Sequence, residues 1–270
     1  MSLGVNAVFG NLGSALAPLF TGLMIDTVSW RAAFIIPGIA AVLSGIALLV
    51  AWQRGVVSDA HTDVAPQPAA EPGSYKRVFY ILLLTMACNG LIYTGLMNTV
   101  PKLFQGGIGD ALAGNYTQLG AIAGMVIGFS SFASMAGGWL ADRYSAKVIY
   151  LIFSLFTLPP LLVLGNLTGT TLIVVFFMAL SFNLTFAAAE NMLIARYTPF
   201  RWRSMAYGAR FVLALGVGGL TVRLAGSLYD HTGSFTQLYV LFAIAALVSA
   251  TGAALLPGSL SGNVQSKPVQ

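Results

Sequence analysis

Glu190 and Arg210 stand out chemically, because each is ionisable and each lies inside a long apolar stretch. A charge held away from water is costly, so residues of this kind are associated with ion pairing, ion pathways or proton transfer. Two readings of Glu190 are open. It pairs with Arg210 or Arg143 and braces one end of a helix bundle, or it is a protonatable group that exchanges a proton. Arg223 is also inside a stretch but near its end, where a long side chain reaches the interface. Neutral polar residues lie deeper. Asn89 and Tyr93 are four apart and share a helical face, and Asn183 is near the middle of its stretch. They are candidates for contacting a small-molecule ligand, or for hydrogen bonds between helices.

No catalytic constellation accompanies them. The single cysteine, Cys88, sits in an apolar run, and the two histidines, His61 and His231, fall in separate loops. Neither a nucleophile triad nor a metal site can be assembled from that spacing, so we expect no enzyme, no metal and no cofactor. The net charge of +5 comes from basic residues spread along the chain rather than gathered in a patch, which argues against a nucleic-acid partner.

The elements that position these residues follow from composition. Of 270 residues, 57% are hydrophobic and only 8% charged, with a mean hydropathy of +0.82. A soluble domain carries about 25% charged residues. So few charges cannot cover the surface of a chain this long, whereas a lipid bilayer removes the need. Long apolar runs fall at roughly 3–25, 32–52, 78–100, 115–140, 147–166, 170–195, 204–228 and 236–256. Each is close to the ~20 residues that cross a bilayer core as a helix. The predicted fold is all-α, a polytopic transmembrane bundle of about eight helices. Pro159-Pro160 is expected to kink the fifth.

One stretch reads as a linker. Residues 53–77 contain Ala65-Pro66-Gln67-Pro68-Ala69-Ala70-Glu71-Pro72-Gly73, a composition that cannot bury enough apolar area to order itself. The expected organisation is two helices over 1–52, the linker, a six-helix bundle over 78–256, and a tail over 257–270. Basic residues then sort by side. Arg54, Lys76, Arg77, Arg143, Lys147, Arg196, Arg201, Arg203 and Lys267 share one side, and only Arg31 and Lys102 fall on the other. The positive-inside rule makes the first side cytoplasmic. Linker, N-terminus and C-terminus are thus expected inside an inner or plasma membrane.

Two motifs carry a family resemblance. The connection after the fourth helix contains Gly138, Leu140, Asp142, Arg143 and Lys147. This resembles the loop signature of the major facilitator superfamily in its C-terminal copy, although Ser145 and Ala146 depart from it. The first helix carries Gly4, Gly13, Pro18 and Gly22 at spacings similar to the fifth-helix signature of antiporters in that superfamily, with Ala17 and Thr21 replacing glycines. Small residues on one face permit close helix approach, and Pro18 bends the helix. Gly120, Gly124 and Gly128 form a further small-residue ladder suited to packing.

The resemblance implies helices five to twelve of a two-bundle transporter. It also implies a central cytoplasmic loop at 53–77 and alternating access to a midplane site for a small-molecule substrate. Asn89, Tyr93 and Asn183 would then face the cavity, with Asp142, Arg143, Glu190 and Arg210 in a gating charge network. The lipid bilayer and a proton or ion gradient are the other implied partners. The fifth-helix likeness points to export by proton antiport. An uptake symporter or uniporter, and a non-transporting scaffold or receptor, are the alternatives. With four helices of the superfamily pattern missing, we expect an N-terminally truncated product or a misplaced start.

Overall fold

The computed structural model describes residues 2–56, 75–112, 115–198 and 200–256. Most of the expected linker, and the tail from 257, lie outside the described residues. Eight helices follow one another: α1 (Ser2–Thr27), α2 (Ala32–Gln53), α3 (Tyr75–Leu112), α4 (Tyr116–Arg143), α5 (Ala146–Leu164), α6 (Gly169–Tyr197), α7 (Phe200–Thr232) and α8 (Thr236–Leu255). No strand occurs among the described residues. Seven of the eight, α2 to α8, contain segments long and apolar enough to cross a membrane. The eighth, α1, runs for 26 residues.

The all-α expectation is met, and several boundaries move outward. The third helix continues through Pro101 to Leu112, and α7 begins four residues earlier than the hydrophobic run suggests. Polar and basic residues continue a helix past the apolar region when nothing breaks its hydrogen-bond ladder. Pro159 and Pro160 lie within one uninterrupted helix, α5. The turn from α7 to α8 is made by Gly233 at φ +67°, whose N–H donates to the Tyr229 carbonyl at 2.8 Å. A left-handed residue at this position closes the helix end, and glycine adopts it without strain.

The core lies within α3 to α8. The α5 helix packs between α6 and α8, α4 lies against α6, and α7 rests mainly on α3. Phe104, Tyr150, Phe176, Phe186, Tyr239 and Phe242 are fully buried there. Their rings meet edge-on, as in Phe104–Phe176 at 5.3 Å between centroids and Tyr150–Phe186 at 5.3 Å, a geometry that suits the ring quadrupole. The α2 helix differs from the rest, since none of its residues is buried.

The α1 helix joins the bundle through α4. A Cβ added at Gly120 would collide with the Pro18 carbonyl, and one at Gly22 with the Tyr116 carbonyl. Backbone therefore meets backbone, the close approach that small residues allow. Gly124 faces Ala15 in the same way, so the small-residue ladder of α4 is the surface that receives α1. One end of the contact is polar. The exposed Asp26 carboxylate accepts from the Thr117 N–H at 2.7 Å and its hydroxyl at 2.6 Å, while Asn115 accepts from the Gln118 N–H at 2.9 Å. Both acceptors satisfy free N–H groups in the first turn of α4.

Candidate functional site

The α6 helix carries Glu190 on a fully buried face. Buried carboxylates need donors, and three neighbouring helices supply them. Asn89 of α3 donates from Nδ2 to Glu190 Oε2 at 2.9 Å. Tyr150 of α5 donates its hydroxyl to Oε1 at 3.2 Å. From α7, the Arg210 Nε lies 3.6 Å from Oε2. Asn183, two turns before Glu190 on α6, donates to Asn89 Oδ1 at 3.2 Å. The result is a continuous polar chain, Asn183–Asn89–Glu190–Arg210, inside an apolar bundle.

One acceptor in this region stays unsatisfied, because Asn183 Oδ1 is buried with no hydrogen-bond partner. Cys88, Thr85 and Ser249 complete the surroundings of Glu190 and Tyr150. A buried polar region of this size, incompletely paired, can rearrange when a proton or a ligand arrives.

Arg210 is the most weakly held member of the chain. It keeps 21% of its side-chain surface, whereas Glu190 has none. Its Nη1 donates to the side-chain oxygen of Asn191, and Asn191 in turn accepts from the Tyr207 hydroxyl through its backbone carbonyl at 3.2 Å. Arg210 stands ten positions into α7 and Glu190 seven from the end of α6, so the antiparallel pair meets well inside both helices.

Arg143 takes no part in this pair. It is exposed at the end of α4, with its guanidinium over the Trp139 ring at 4.9 Å. Asp142 is exposed beside it, Gly138 is buried, and Leu140 packs on the core. Lys147 reaches across to α8, donating to the carbonyl of Ala254 at 3.0 Å and to that of Leu256. A cation on the last carbonyls of a helix satisfies groups that have no intrahelical partner. Of the loop residues, Lys147 thus braces the end of α8.

Tyr93 points elsewhere than Asn89, although they share a helical face. Its hydroxyl donates to Asn11 Oδ1 of α1 at 3.4 Å, and it borders a cavity of about 540 Å³ between α1, α3 and α4. Ala17, Thr21, Thr94, Asn98 and Tyr116 line the same space, and Pro18 and Gly22 border it. Gly13 has open space around it, and the surroundings of Gly4 lie outside the described residues. No group of three or more His, Cys, Asp or Glu suited to a metal occurs among the described residues.

Tyr150, Asn191 and Ser249 belong to the site and are not evident from sequence. The Glu190-Asn191 pair could have flagged Asn191, since two polar neighbours inside an apolar run are unusual. Tyr150 and Ser249 offer no local signal.

Comparison with known families finds a likeness over the first part of the chain. Residues 1–114 match the family model of the Major Facilitator Superfamily. The expected resemblance is borne out, and the match takes in α1, α2 and the described length of α3. Together with the seven spanning helices, it supports a multi-pass membrane protein and a superfamily membrane transporter, which implies a small-molecule substrate and a lipid bilayer. No curated protein matches the chain.

Proposed function

We propose that this chain works in proton-coupled secondary transport of a small molecule, with Glu190 as the group that carries the proton. The supporting observation is the fully buried carboxylate ligated from three helices, Asn89 of α3, Tyr150 of α5 and Arg210 of α7. Protonation removes one charge from this set and weakens the tie to Arg210, so the helices can change their relative positions. Such a bistable contact is what alternating access requires. Asn89, Tyr93 and Asn183 would meet the substrate, and the linker and C-terminus would lie in the cytoplasm.

Direction of transport divides into two readings. The likeness of α1, through Gly4, Gly13, Pro18 and Gly22, to the fifth-helix signature of antiporters favours export by proton antiport. The Glu190–Arg210 pair favours proton symport, because one protonation frees one cationic side chain. Applying a proton gradient of either sign to vesicles separates them.

The test of the proton role does not need the substrate. Infrared difference spectra of the purified chain across a pH series should show a carboxylic-acid band that disappears in Glu190→Gln. If the spectra of the two proteins coincide, Glu190 carries no proton and the proposal fails. Cysteines placed at Asn89 and Asn183 should react with a water-soluble thiol reagent. A sealed scaffold would leave both unmodified.

A further inference from the structure

We infer that Arg210 is an anion-binding site that receives the carboxylate or phosphate group of a small ligand once Glu190 is protonated. The inference rests on the proton role proposed above and adds the ligand's chemical class.

Two ionisable side chains form the core of the cluster, and they differ in access. Glu190 is fully buried, with Asn89 on one oxygen and Tyr150 on the other, so its carboxylate is reached only through those partners. Arg210 keeps part of its surface, contacts Glu190 only at 3.6 Å, and spends one further nitrogen on Asn191. A guanidinium has five N–H donors in a planar fork. Two contacts leave enough of the fork to grip an oxyanion through parallel hydrogen bonds. A ligand arriving at this cluster therefore meets positive charge, and the natural complement is an anion.

While Glu190 is ionised, that anion faces a carboxylate across the same arginine. Adding a proton to Glu190 removes the repulsion and loosens the arginine. Proton and anion thus assist each other, and by linkage each raises the other's affinity. Among the described residues, the other titratable groups facing Glu190 are Cys88 of α3 and Tyr150 of α5. From α8 comes only the Ser249 hydroxyl, and α4 has no ionisable side chain between Thr117 and Ala141. Among the described residues, Arg210 is the cation that approaches Glu190. Co-binding of proton and anion favours the symport reading over antiport.

The probe is formate, an oxyanion that stays ionised from mildly acidic to mildly alkaline buffer, with tetraethylammonium as the cationic control. Thermal unfolding of the full chain in detergent gives the readout. Formate should raise the unfolding temperature of the wild type, more strongly as the buffer becomes acidic. Arg210→Gln should weaken apparent formate affinity by roughly tenfold or more, and Arg210→Lys should restore part of it. Glu190→Gln, which mimics the protonated acid, should bind formate equally at every pH. Three outcomes would overturn the inference: protection by tetraethylammonium alone, formate protection that survives in Arg210→Gln, or wild-type protection that ignores pH. A titrating Glu190 band in the infrared with no formate effect removes the anion site and leaves the proton role standing.

Discussion

Asn89 and Glu190, separated by 101 residues of sequence, are joined by a hydrogen bond of 2.9 Å in which the amide of one feeds the buried carboxylate of the other. This bond ties α3 to α6 and orients Asn89 so that its oxygen accepts from Asn183. Asn89→Ala would leave two buried groups short of a partner at once. We expect a stability loss of about 1–3 kcal/mol, read as a lower unfolding temperature in detergent. Asn89→Asp should be worse than Asn89→Ala near neutral pH, because two carboxylates would then face each other. Equal stability of wild type and Asn89→Ala would mean that the bond carries no weight.

The ion pair can be isolated by a double-mutant cycle. Arg210→Gln leaves the Glu190 charge with neutral donors only, and Glu190→Gln leaves Arg210 without its counter-ion. Each single change should destabilise more than half as much as the two together, with a coupling on the order of 0.5–3 kcal/mol. Additive losses would show that the 3.6 Å approach contributes nothing.

Much of the architecture is legible in the sequence, and the reason is physical. Hydrocarbon demands a continuous apolar run for every crossing, so the stretches at 32–52 or 236–256 announce α2 and α8 almost residue for residue. Helix ends are less legible. Nothing in the residues from Pro101 to Leu112 marks where α3 stops, since its ladder outlasts the apolar region. The polar site is legible only in its members that are unusual on their own terms. Glu190, Arg210, Asn89 and Asn183 are costly inside a span and draw attention. Tyr150 and Ser249 are ordinary in such helices, and their place beside Glu190 depends on how α5 and α8 cross α6 in space. Tyr93 shows the converse: it shares a face with Asn89 yet reaches α1, because a helix face four residues long can meet two neighbours.

Glycine positions along α4 should differ sharply in tolerance. Gly120→Leu would drive a side chain into the Pro18 backbone, which cannot yield as a side chain can. A cost of about 1–3 kcal/mol, or loss of α1 from the bundle, is expected. Gly128→Ala meets only the Ala15 methyl at 3.6 Å, an ordinary contact. It should leave the unfolding temperature unchanged. Equal effects at the two positions would contradict the packing described.

Asp26 gives a pH signature remote from Glu190. Hydrogen bonds from the Thr117 hydroxyl and N–H hold its carboxyl below the ordinary range. The folded value lies under the unfolded one, so the stabilisation is complete above the unfolded carboxylate range and fades as pH falls through the folded value. Asp26→Asn should therefore unfold earlier than the wild type at neutral pH and converge with it in acid. A gap that stays constant over the series would rule out the ionised cap.

Sidedness can be read with single cysteines in a Cys88→Ser background. Positions 102 and 143 should label from opposite faces of sealed vesicles, with 143 on the cytoplasmic side. Labelling of both from one face would undo the arrangement of the helices across the bilayer.

The glycine seam between α1 and α4 has a mechanical corollary. Two helices whose main chains touch at Gly22, Gly120 and Gly124, latched at one end by Asp26, cannot slide past each other without lifting apart. They resist separate motion until the seam parts. A cross-link that splints α1 to α4 should therefore slow any cycle that needs the two helices to part, without touching an atom near Arg210.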